Sequence, residues 1–145
     1  MESKERVPIE IGDKVTFSKT VGETDVYMFA GITGDFAPNH VNEEYMNKTP
    51  YKKRIAHGVL SIGFASTTSS LFFEKVDTKG MGAVSYGYDR IRFIQPIFIG
   101  DTVTVHYTIA EIDHENLKSI AEIEIYNQNN EICTAGQHIL KFIKE

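Results

Sequence analysis

Cysteine is nearly absent. Cys133 is the only one in 145 residues, so no disulfide can form within the chain, which fits a reducing compartment. Excess positive charge is also missing: 15 Lys and Arg face 20 Asp and Glu, for a net charge of −5. That balance excludes nonspecific nucleic-acid binding driven by phosphate neutralisation. The longest rather apolar stretch, VLSIGFASTTSSLFF, carries a Ser/Thr block and falls short of the roughly 18 to 20 apolar residues of a membrane span. No Pro-rich, Gly/Ser-rich or repeated segment marks a linker, and the length suits one core, so a single domain over residues 1–145 is expected. The opening MESKERVPIE mixes charges of both signs and lacks the apolar stretch of a signal peptide. A cytoplasmic protein without membrane or nucleic-acid partners is expected.

What is present is an ordered succession of periodic segments. GDKVTFSKTV reads as a first strand, and Thr24 offers a cap to a short helix through DVYMFAGITG, with Val26, Phe29, Ala30 and Thr33 at helical spacing and Gly34 as its stop. NEEYMNKTPYKKR reads as a short polar helix followed by irregular chain, a flap over something. From Gly58 to about Lys75 runs the strongest helix, with Val59, Ile62, Gly63, Ser66, Ser69, Ser70 and Phe73 on one face. Its remaining faces are apolar too, which predicts a buried helix. AVSYGYDRIRFIQP, DTVTVHYTIAEID, KSIAEIEIYNQ and EICTAGQHILKFIKE alternate or are rich in β-branched and aromatic residues. They predict four strands, the last three an antiparallel meander joined by short polar turns. The sum is an α+β fold, a curved antiparallel sheet wrapped around a long central helix.

One stretch fits neither period. In GDFAPNH, residues 34 to 40, Pro38 disfavours helical geometry at Ala37 and brings no backbone donor to a sheet. Asp35 and His40 are therefore expected on an irregular loop, either as turn and capping residues or as an acid/base pair aimed at one point. The basic clusters YKKR (51 to 54, after Lys48) and DRIR (89 to 92) read as solvated charge or as receivers of an anionic small molecule. The hydroxyl run from Ser66 to Ser70 reads as side chains bonding back to the preceding turn. His40, His57, His138 and Cys133 lack zinc-ligand spacing, and Cys133 itself reads as a buried strand residue.

GDFAPNH, the His57-Gly58 of RIAHGVL and Ser66 further along the helix occur in the order of the landmarks of the MaoC-like (R)-specific enoyl-CoA hydratases, whose motif runs Gly-Asp-x-Asn-Pro-x-His. The chain resembles that family over most of its length. The resemblance implies a hot-dog fold, paired in a homodimer or an assembly of dimers with sites near the interface. It implies reversible addition of water to a trans-2-enoyl-CoA, with Asp35 and His40 as the catalytic pair holding one water. Gly58, His57 and Ser66 are the implied substrate-binding residues. Gly58 opens the helix, where unpaired amides and the positive dipole end favour an oxygen that becomes anionic, so neither metal nor cofactor is required. His57 is a ligand contact on this reading, or else a histidine that satisfies the helix start. Lys52, Lys53 and Arg54 are candidates for the acyl-CoA phosphates. One departure stands out: Ala37 occupies the family's asparagine position. A non-catalytic acyl-thioester-binding or partner subunit is thus the alternative to an enzyme, and thioester hydrolysis is a weaker third.

Overall fold

Alternation in the second half of the chain becomes four long strands in the computed structural model, which describes residues 5–145; the first residues of the charged N-terminal stretch, 1–4, lie outside it. The elements are β1 (Lys14–Thr20), α1 (Glu23–Thr33), α2 (Pro38–Val41), α3 (Glu43–Asn47), α4 (Gly58–Lys75), β2 (Met81–Phe93), β3 (Thr102–Asp113), β4 (Lys118–Tyr126) and β5 (Ile132–Lys144). They form a five-stranded sheet in the order β1-β3-β4-β5-β2, antiparallel at every pairing. The expected meander is β3-β4-β5. Along most of its strands every second residue, among them Val103, Val105, Tyr107, Ile109, Ala121, Ile123, Ile125, Leu140 and Phe142, is buried on one face. Bulges in β2 between Ser85 and Gly87 and between Asp89 and Arg92 break the ladder with β5 and bend the sheet.

Helix α4 lies against that buried face. Its bounds agree with the sequence reading, but the side it buries does not. The residues turned to the core are Ser61, Phe64, Ala65, Thr68, Ser69 and Phe72, with the Phe72 ring 6.3 Å from Tyr107. Of the face expected from periodicity, Val59, Gly63, Ser66 and Ser70 are exposed in the single chain. The error has a physical source: a helix with apolar residues all round carries no dominant stripe, and hydroxyls that bond within the helix are cheap to bury. Thr67, Thr68, Ser69 and Ser70 all donate to carbonyls three or four residues back, at 2.8 to 3.3 Å.

Two further local expectations change. Thr24 does not cap α1. Gly22 is the cap, and its N–H donates to the Asp25 carboxylate at 2.8 Å. The loop after Gly34 is also less irregular than expected, because Pro38 begins a one-turn helix. Proline excludes helical geometry from the residue before it, and Ala37 is accordingly extended (φ −58°, ψ 142°). At the first helical position its missing N–H costs nothing.

Candidate active site

Asp35 and His40 owe their positions to the ends of two short elements. Gly34 stops α1 in the left-handed region (φ 82°), its N–H donating to Ala30 O, a geometry that favours glycine. Asp35 follows, and its Oδ1 accepts the Ala37 N–H at 3.2 Å. The single turn of α2 then carries His40, which is buried while Asp35 stays exposed. His40 Nδ1 lies 2.8 Å from the carbonyl of Ile55. A carbonyl only accepts, so Nδ1 holds the hydrogen, and in the neutral ring Nε2 presents a bare lone pair. The Ile55 N–H returns a bond to Asn39 O at 3.0 Å, locking α2 against residues 54–57.

That segment also delivers His57, the N-cap of α4. Its Nε2–H donates to the Asp35 carbonyl at 2.9 Å, and its ring stacks on His40 at 3.8 Å between centroids, 26° from parallel. Phe29 packs 4.6 Å away, and His57 Nδ1 is buried without a partner among the described residues. Gly58 is next, with the first amides of α4 unpaired within the helix. A Cβ on Gly58 would fall 2.9 Å from the Phe93 ring, so Phe93 covers the helix start and only glycine fits beneath it. Asp35, His40, His57, Gly58 and Phe93 share a cleft of about 410 Å³ whose lining also includes Thr134.

The structure therefore brings together four of the five residues singled out in the sequence. The fifth, Ser66, does not line the cleft. It sits eight residues along α4, roughly 12 Å from Gly58, on the exposed face. Burial pushes the phenol of nearby Tyr88 above its ordinary value, with Ser66 and Ser85 acting in the opposite direction.

Arg54 departs from its expected role. Its guanidinium is buried, with Nε donating to Glu43 at 2.9 Å and one amino group donating to the Tyr27 hydroxyl at 2.9 Å. The other amino group pairs with Glu23. Burial works against the charge, but the carboxylates of Glu43 and Glu23 outweigh it and the pKa is raised. Buried and held by three internal partners, Arg54 is poorly placed to meet a phosphate. Lys52 and Lys53 are exposed, Lys53 Nζ resting 5.1 Å from the centre of the Phe98 ring. Sequence reasoning missed the Arg54 cluster, the Phe93 cover and the histidine stack, because each joins residues far apart in the chain.

Asp35, His40 and His57 each bring one ligating atom within 4.8 Å of the others, which raises the question of a metal. The two rings are stacked 26° from parallel, so their lone pairs lie in separate, nearly parallel planes and do not converge on one point between the rings. One ion at about 2.0 to 2.1 Å from both nitrogens would require a ring to turn and break its bond to a backbone carbonyl. The arrangement suits a base and its support better than a chelate.

Fold and cleft together define an α+β protein with Asp35 and His40 held beside the N-terminus of a central helix. The sequence model of the MaoC like domain matches residues 6–131, and the chain belongs to that family. An (R)-specific enoyl-CoA hydratase of Rhodospirillum rubrum is 42% identical over 101 residues, which cover 70% of this chain and 66% of that protein. A 3-hydroxybutyryl-CoA dehydratase of Methylorubrum extorquens is 34% identical, over 94% of this chain and 83% of its own length. Among solved structures, the (R)-hydratase from A. caviae involved in PHA biosynthesis superposes with a TM-score of 0.78 at 27% identity, covering 92% of this chain and 96% of that one. The fold is the hot-dog fold that the motif implied.

Proposed function

We propose that this chain is an (R)-specific enoyl-CoA hydratase, adding water reversibly to a trans-2-enoyl-CoA. The observation that carries the reading is the bare Nε2 of His40 in one cleft with the Asp35 carboxylate and the unpaired amides at Gly58. Water lies between Asp35 and His40. As its oxygen bonds to C3, His40 Nε2 takes a proton, and the C2=C3 electron pair moves toward the thioester carbonyl, leaving an enolate oxygen. Gly58 N–H stabilises that oxygen, a contribution typically worth about 10² to 10³ in rate. The proton then returns to C2 from the same face, restoring the thioester and giving the 3-hydroxyacyl-CoA. General acid/base assistance of this kind contributes about 10² to 10⁴.

The Ala37 position favours catalysis over a non-catalytic subunit, since the bond that supports Asp35 comes from the Ala37 backbone N–H and needs no side chain. Lys52 and Lys53 serve the phosphates of the acyl-CoA, and the protein works in the cytoplasm; among the described residues no helix is long and apolar enough to cross a membrane. The active form is a homodimer or an assembly of dimers. Edge strands β1 and β2 each leave one side of the sheet unpaired, which calls for cover. The uncovered face of α4 carries Val59, Gly63, Ser66 and Ser70. Two antiparallel α4 helices meeting near Ile62, midway between Gly58 and Ser66, bring each Ser66 toward the other copy's cleft. Loss of the enoyl-thioester absorbance of crotonyl-CoA, followed by chiral analysis of the product, tests the proposal. Acyl-CoA binding without turnover would transfer the reading to the non-catalytic subunit, and thiol release would transfer it to hydrolysis.

A further inference from the structure

Arg54 lies outside the proposed chemistry, yet it is a nine-tenths buried cation with two carboxylates and a phenol converging on it. Its partners are distributed with some significance. Glu23 and Tyr27 lie on α1, one helical turn apart, and Glu43 lies on α3. The stretch between those anchors contains Asp35 and His40. Arg54 itself immediately precedes Ile55, whose carbonyl holds His40 Nδ1 and whose N–H binds Asn39 O. The Tyr27 ring, 5.5 Å from the guanidinium carbon, adds a cation–π contact. One side chain thus joins the element before the pair, the element after it and the segment that fixes its histidine.

The geometry points to Arg54 as a positioning residue for hydration, a clamp that sets the distance between His40 and the Asp35 carboxylate by holding α1 and α3 to residues 54–57. The inference rests on the Asp35–His40 reading above. Among the described residues, no backbone interaction of the pair performs this task. The bonds from His40 Nδ1 and Ile55 N–H fix the histidine side alone, and His57, which also stacks on His40, reaches Asp35 only through its backbone carbonyl. Arginine suits the role because its planar fork satisfies several partners from fixed directions, whereas a lysine is a point charge that cannot span both carboxylates with the same geometry.

The test is steady-state hydration of crotonyl-CoA by Arg54→Met, Arg54→Lys and Glu43→Gln, each shown folded by circular dichroism and assayed well below its melting temperature. Misplacement by about 1 Å costs up to about 10² in rate. Arg54→Met is therefore expected to lower kcat by about tenfold to a hundredfold with KM within about twofold, Arg54→Lys to fall between it and the wild type, and Glu43→Gln to lose less. Proton NMR supplies a second readout: the His40 Nδ1–H resonance, expected to be protected in the wild type by its bond to the Ile55 carbonyl, broadens or vanishes in Arg54→Met. Should Arg54→Met fail to fold, Glu43→Gln carries the same two readouts with Arg54 still paired to Glu23. A lower melting temperature with kcat and the His40 resonance unchanged overturns the clamp and leaves Arg54 a stabilising residue only. His40→Gln, run in parallel, separates the two readings. Wild-type kcat in that variant overturns the catalytic pair, whereas an inactive His40→Gln beside a fully active Arg54→Met overturns the clamp alone.

Discussion

Gly58→Ala is the substitution whose consequences the structure defines most closely. The new Cβ would stand 2.9 to 3.0 Å from three atoms of the Phe93 ring, Cδ1, Cε1 and Cγ. Because Cγ is among them, the ring cannot escape by swinging its tip and must shift as a whole, or α4 must retreat. Overpacking of this kind costs about 1 to 3 kcal/mol, while replacing a helical glycine by alanine returns up to about 1 kcal/mol. The net loss of stability is thus expected at roughly 0 to 3 kcal/mol, small enough for the variant to fold. Activity responds more strongly, because the displaced group is the amide proposed to meet the enolate oxygen. Its misplacement is expected to lower kcat by about 10². Crotonyl-CoA hydration gives kcat and KM, and urea denaturation gives the stability. Phe93→Ala added to Gly58→Ala relieves the clash and recovers the stability, but leaves the helix start uncovered and kcat low. Wild-type kcat in Gly58→Ala, with the stability loss present, refutes the assignment of that amide.

Three further outcomes are expected. Ala37→Asn raises kcat/KM by about two- to tenfold, equally on straight-chain and branched enoyl-CoAs, if the missing amide is worth a hydrogen bond of about 0.5 to 1.5 kcal/mol; selective loss on branched substrates would instead mean that alanine makes room. His138 is buried between Tyr107 and Ser85, and burial pushes its pKa from 6.5 to about 4. The unfolded chain therefore takes up a proton that the folded chain refuses. Stability is full above pH 6.5 and falls as pH drops toward about 4, by at most about 3 kcal/mol. Denaturant unfolding of His138→Gln shows a shallower decline over that window, and identical slopes would remove His138 as the cause. The wild type sediments as a dimer or larger at micromolar concentration. Gly63→Leu shifts it toward monomer without unfolding it, because among the described residues nothing lies within 4 Å of the added Cβ; a wild-type monomer contradicts the paired helices.

The sequence spoke most clearly where local periodicity and punctuation agree. The alternation of TVTVHYTIAEID had one reading, and it became β3; Gly58 and Lys75 bound α4 as expected. The helix face was illegible for the opposite reason, since apolar residues surround α4 and its hydroxyls satisfy themselves. Asp35, His40, His57 and Gly58 were legible as landmarks and meet in one cleft. Their roles depend on bonds that no spacing encodes: the Ile55 carbonyl that sets the His40 tautomer, the stack of two histidines 17 residues apart (57 − 40), and the Phe93 ring over Gly58. Arg54 shows the same limit, as a run of basic residues reads as surface until a fold turns one of them toward Glu23 and Glu43.

The measurement closest to the central claim is kcat for crotonyl-CoA hydration in the wild type, Asp35→Asn, His40→Gln and the double variant, with acyl-CoA affinity determined alongside. The account expects each single variant to lose about 10² to 10⁴ in kcat, the double variant to lose little more than the worse single because the two groups act as a unit, and affinity to stay within a few-fold. Near-wild-type turnover in either single variant, with the protein folded, contradicts it.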